Sequence, residues 1–106
     1  MTTPVRILLV DDERTYIDAL AKVLGGRGMT VRTAYDGHAA VEAAHAEPFD
    51  VIVLDLKMPR MDGVATLEAI RSRDARTPVL LLSAHADLDS AREAMSRGAT
   101  DYLLKP

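Results

Sequence analysis

Short apolar runs alternate with amphipathic stretches along the whole chain, and turn residues separate them. Val5–Val10, Thr30–Ala34, Val51–Asp55, Pro78–Ser83 and Thr100–Leu104 read as five strands. The first, third and fourth are nearly unbroken aliphatic runs, the pattern of strands buried on both faces of a parallel sheet. Thr30-Val31-Arg32-Thr33-Ala34 mixes in polar positions, as an edge strand does. Pro78 is tolerated because it opens its strand.

Between the strands the apolar spacing turns helical. Tyr16, Ile17, Leu20, Val23 and Leu24 form one stripe after Asp11-Asp12-Glu13, and Gly25-Gly26 is expected to stop that helix. Gly37–Ala46 is an alanine-rich helix opened by Asp36 and closed before Pro48. Gly63–Ser72 places Val64, Leu67 and Ile70 on one face, and Ala86–Arg97 places Leu88, Ala91, Ala94 and Met95 on one face before Gly98. Five strands alternating with four helices through short connections make a doubly wound α/β fold with a parallel sheet and right-handed crossovers. Periodicity alone leaves the strand order open.

That topology turns strand ends into a site. All carboxyl ends of a parallel sheet lie along one rim, where open α/β sheets place their ligands. Strand one ends at Asp11-Asp12, strand three at Asp55, strand four at Ser83 and strand five at Lys105. Any one of these has an ordinary reading: an aspartate after a strand commonly caps the next helix, and Asp12 fits that role too. As a set they form three carboxylates, a hydroxyl and an ammonium gathered by topology. Clustered carboxylates raise one another's pKa, and a divalent cation relieves them. Few hard oxygen ligands beside a phosphate partner suit Mg²⁺ (or Mn²⁺). An aspartate flanked by a metal, an ammonium and a hydroxyl is equipped to attack phosphorus.

Composition narrows the rest. At 106 residues the chain is one small domain, and with 48% hydrophobic but only 4% aromatic residues its core must be aliphatic. It has no cysteine, so disulfides and thiolate metal sites are excluded. A formal charge of −3 argues against direct nucleic-acid binding, and no apolar run reaches the ~20 residues of a membrane span. A cytoplasmic setting follows as an expectation. His38 and His45 sit seven apart among alanines and read as a solvated helix face. Lys57 and His85, each two past Asp55 and Ser83, stand at the mouth of the rim. Met58 and Met61 are expected to pack beneath the turn after Asp55.

The chain resembles the receiver domain of two-component response regulators from Val5 to Pro106. The matching residues are Asp11-Asp12, Asp55 with Met58-Pro59 and Met61-Asp62-Gly63, Ser83-Ala84, and Tyr102 before Lys105-Pro106. The resemblance implies a flavodoxin-like sheet of order 2-1-3-4-5 and a cis peptide before Pro106. It implies that Asp55 is the phosphoacceptor and that Asp12 and Asp55 ligate Mg²⁺ with the backbone carbonyl of Lys57, Asp11 acting mainly through water. Lys105 would pair with the phosphoryl group, Ser83 would swing toward it, and Tyr102 would follow inward. The small Ala84 would leave room. The implied partners are a sensor histidine kinase or phosphotransfer protein and an output domain. The stretch Ser83–Asp89 is similar to receivers of nitrogen-regulation type transcription activators.

Two other functions fit less well. A phosphohydrolase with an aspartyl intermediate needs an acid two residues past its nucleophile, where this chain has Lys57. A receiver-like scaffold that never takes phosphate does not explain an intact acidic pair with Asp55, Ser83 and Lys105. The expected fifth helix of the family is absent, so residues 1–106 read as a C-terminally truncated receiver. Its open sheet face would expose alternate side chains or be covered by a second copy in a homodimer.

Overall fold

The structure, a computed structural model, describes residues 3–84 and 87–105. The start of the fourth helix at Ala86, the position of His85 and the peptide before Pro106 lie outside these residues. The observed strands are β1 (Arg6–Val10), β2 (Thr30–Ala34), β3 (Val51–Asp55), β4 (Val79–Ser83) and β5 (Asp101–Leu104). The helices are α1 (Arg14–Gly26), α2 (Gly37–Ala46), α3 (Gly63–Arg71) and α4 (Leu88–Ser96). All strand pairs are parallel, in the order β2-β1-β3-β4-β5, with β2 at an edge as expected.

Alternation along β1 splits the core into two layers. Leu8 and Val10 face one side with Ile52 and Leu54 of β3, Val79 and Leu81 of β4, and Ala40, Ala43, Leu67, Ile70, Ala91 and Ala94 from α2, α3 and α4. Ile7 and Leu9 face the other side, against Ile17 of α1, with Leu20, Leu24, Val51 and Val53 partly buried around them. Full burial of each Leu or Ile contributes roughly 1.5–3 kcal/mol. These layers therefore hold the strand ends in fixed places.

The coverage is uneven. On β5, Tyr102, Leu103 and Leu104 are all exposed, not only alternate residues. Leu88, Met95 and Val23, expected on inner helix faces, are also largely exposed, and Ile17 is the one fully buried residue of α1. The helix stripes thus narrow to the few positions that touch the sheet. His45 departs from a solvated face as well: it is half-buried and its Nε2 is enclosed. Met58 is buried as expected, and Met61 is half-buried.

α1 continues through Gly25 and Gly26. The left-handed position falls instead at Gly28 (φ 89°), because the chain keeps helical bonds until Arg27. Gly63 has a different task. Its N–H bonds the Leu56 carbonyl at 3.0 Å, and a Cβ there would lie 2.6 Å from the Asp55 carbonyl oxygen. Only a glycine lets α3 start this close to the end of β3. Asp62 then caps α3 by accepting the Ala65 N–H at 2.9 Å.

Gly63→Ala should therefore overpack the junction and lower stability by about 1–3 kcal/mol. Urea denaturation of the two chains, compared at equal m-value, checks this; an unchanged midpoint would mean that the turn yields freely.

Candidate functional site

Strand register does the assembling. Val10 pairs with Leu54, so the next residues, Asp11 and Asp55, emerge side by side. Asp55 pairs with Leu82 and Ser83 pairs with Leu104, which brings Ser83 and then Lys105 to the same rim. Backbone bonds pin these exits: the Asp11 N–H to Ala34 at 3.1 Å, the Leu56 N–H to Leu82 at 3.2 Å and the Lys105 N–H to Ser83 at 2.9 Å.

The side chains converge on one ammonium. Lys105 Nζ lies 2.9 Å from Asp11 Oδ2, 3.2 Å from Glu13 Oε1 and 3.3 Å from Asp55 Oδ1. Asp11 and Asp55 are buried and Asp12 is exposed. Each of the three aspartates offers an oxygen within 4.8 Å of the others. Asp11 Oδ1 also accepts the Glu13 N–H at 3.0 Å, whereas its buried Oδ2 lies at ion-pair distance from Lys105 without a hydrogen-bond partner among the described residues. Ser83 is fully buried, and its hydroxyl has no hydrogen-bond partner among the described residues.

Burial, and after it the charge of Asp11, push the Asp55 carboxyl up to about 6, against the opposing charge and hydrogen bond of Lys105 and the Lys57 N–H. For Lys105, burial works against the charge, but Asp11, Asp55 and Glu13 outweigh it and hold the ammonium above its ordinary value. The site therefore carries more negative charge than one lysine neutralises. Three hard carboxylate donors with excess charge fit a divalent cation.

Not every expected residue joins the cluster. Tyr102 sits on β5 beside Leu81, half-exposed, and its N–H bonds its neighbour's carboxylate, Asp101 Oδ1, at 2.8 Å. The Lys57 side chain pairs with the buried Asp87 at 3.3 Å, tying the turn after β3 to the start of α4. Asp12 does not cap α1: the cap position is Glu13, which makes no side-chain cap bond. Sequence reasoning also missed Glu13 and Tyr16, whose ring lies 5.3 Å from Lys105 Nζ. The acidic run Asp11-Asp12-Glu13 was the available signal for Glu13. Arg60, in the turn after Asp55, takes a left-handed φ of 66° that its residue type does not announce.

The comparisons agree with this geometry. Residues 7–106 match the family described as response regulator receiver domain, and the chain belongs to that family. It is a signal-transduction module of the two-component type. It is 39% identical over 100 residues to the transcriptional regulatory protein ZraR of Salmonella typhimurium, covering 94% of this chain and 23% of that protein. It is 40% identical over 100 residues to the DNA-binding transcriptional regulator NtrC of Escherichia coli, covering 94% and 21%. The chain thus spans about a quarter of the curated relatives it matches. A solved response regulator from Burkholderia pseudomallei, described with a phosphorylated aspartic acid, calcium ion and citrate, superposes with a TM-score of 0.88 at 30% identity, over 96% of this chain and 60% of that one. Among the described residues no helix is long and apolar enough to cross a membrane.

The raised Asp55 pKa fixes a sign. Between its ordinary 3.8 and about 6 the folded carboxyl holds a proton that the unfolded chain has lost, so stability falls as pH rises through that window. Without divalent cations, Asp55→Asn should flatten this slope and be the more stable chain at pH 7 by about 1–2 kcal/mol. Thermal unfolding from pH 4 to 8 measures it; parallel curves for the two chains would exclude a penalised Asp55.

Proposed function

We propose that this domain is a phosphoacceptor switch and that Asp55 is the residue phosphorylated. The observation that carries the reading is a buried carboxylate at the end of the central strand, within reach of an ammonium and two further carboxylates. In the transfer an Asp55 oxygen bonds to phosphorus as the bond from phosphorus to the donor's leaving atom breaks. The electron pair departs with that atom, an imidazole nitrogen of a phosphohistidine or an acyl oxygen of acetyl phosphate.

Lys105 directs an N–H and its positive charge at the transferred group's oxygens, and the Ser83 hydroxyl is a second donor without a competing partner. Asp11, Asp12, Asp55 and the Lys57 carbonyl would hold Mg²⁺, or Mn²⁺ in its place. When bound, the cation offsets the carboxylate charge and that of the incoming phosphoryl oxygens. Asp11 would act on the metal mainly through water. The Burkholderia relative's phosphorylated aspartic acid and calcium ion support both assignments.

The new dianion then biases a two-state equilibrium. Ser83 turns toward it and Tyr102, half-exposed in this state, moves inward. The donor is a sensor histidine kinase or phosphotransfer protein in the cytoplasm. The names of ZraR and NtrC support an output in transcription control. The exposed Leu88, Met95 and Leu104 give a homodimer an apolar contact.

Incubation with acetyl phosphate and Mg²⁺ should add one phosphoryl mass to the intact chain. Asp55→Asn and chelation of the cation should each abolish the gain. A persistent adduct of equal yield in Asp55→Asn would refute the assignment.

A further inference from the structure

An ammonium has three N–H donors. On Lys105 the carboxylate oxygens of Asp11 at 2.9 Å, Glu13 at 3.2 Å and Asp55 at 3.3 Å lie within ion-pair distance, and the contact that meets hydrogen-bond geometry is the one to Glu13. The ammonium is thus already held by carboxylates before any phosphoryl group arrives. A phosphoryl oxygen that draws an N–H from Lys105 competes with them, and one of the three gives way.

The three differ in how readily they can do so. Asp11 is 0% exposed, and loss of its lysine would leave a buried charge without a cation. Asp55 is the group that reacts. The Glu13 side chain is 66% exposed, so water replaces the lysine around it at little cost. Its placement is also unusual. Glu13 occupies the cap position of α1 yet leaves the helix's free N–H groups alone. It reaches instead to a lysine 92 positions further along the chain.

We propose that Glu13 is a positioning residue for phosphoryl transfer: it holds Lys105 in the unreacted chain, and it is the carboxylate that a phosphoryl oxygen displaces. The inference rests on Asp55 being the phosphoacceptor. Its consequence is that Glu13 competes with the phosphoryl group for the lysine and so disfavours the modified state.

Glu13→Gln tests this, since it removes the charge from an exposed side chain of the same size. Beryllium fluoride with Mg²⁺ serves as the phosphoryl stand-in, and the Lys105 Cε signal in ¹³C NMR is the readout. In the unreacted chain the signal should already move in Glu13→Gln, and the half-saturating beryllium fluoride concentration should fall about two- to fivefold. Glu13→Asp, one methylene shorter, should fall between the two. In a Lys105→Ala background, followed by backbone amide signals, Glu13→Gln should change nothing. An unmoved Lys105 signal, or the same affinity change with and without Lys105, overturns the proposal. A wild-type chain that takes neither beryllium fluoride nor a phosphoryl group refutes the reading of Asp55 itself, before any Glu13 variant is made.

Discussion

The structure depends on one interaction: a single lysine shared between two buried carboxylates at the sheet rim. At an effective dielectric near 20, Asp11 and Asp55 repel by about 3 kcal/mol across their 4.8 Å limit of separation. Lys105 attracts each by about 5–6 kcal/mol at the observed distances. Coulomb terms alone would therefore hold the Asp55 carboxyl below its ordinary value. It lies at about 6 instead, because burial is the largest influence on it. One ammonium offsets the repulsion but cannot replace the water that both carboxylates lost. The rim is thus left wanting positive charge and donors, which is what a dication supplies and what a phosphoryl acceptor uses.

This arrangement needs strand ends held in fixed places, and the sheet supplies that. Parallel register sets Asp11 beside Asp55, and the N–H groups of Asp11, Leu56 and Lys105 are committed to adjacent strands. The start of α3 at Gly63 comes so close to the Asp55 carbonyl that a side chain there would have no room. Backbone rigidity of this kind lets a small side-chain exchange decide between states, because the scaffold does not absorb it.

Much of this was legible in the chain. Unbroken aliphatic runs at Ile7–Val10, Val51–Leu54 and Val79–Leu82 mark strands buried on both faces, and the residues after them must share a rim. The order of the strands and the match to a receiver came from motifs spread over the chain, not from periodicity. What escaped was side-chain reach. Nothing in the spacing of Glu13 or Lys57 says that one pairs with Lys105 and the other with Asp87, because both pairings depend on loops meeting after the fold forms. At the end of α1 the helix stops at Gly26, but the left-handed position falls two residues further on, at Gly28, because the two glycines keep helical conformation. The half-burial of His45 likewise comes from neighbours that helical spacing cannot name.

The uneven burial of the sheet indicates where a change at the rim travels. β1 and β3 are enclosed on both faces, so a new charge on Asp55 cannot move them without disturbing two core layers. β5 is exposed along its whole length, and α4 buries only two alanines fully. Elements with few buried contacts open at the lowest free energy. Lys105 leaves the end of β5, Ser83 leaves the end of β4 beside it, and Asp87 links the start of α4 back to the turn after Asp55. Lys105, Ser83 and the Lys57–Asp87 pair therefore all lie toward the least restrained side of the molecule. A rigid centre and a less restrained margin are consequences of the same sheet, covered by three helices on one face and by α1 alone on the other among the described residues.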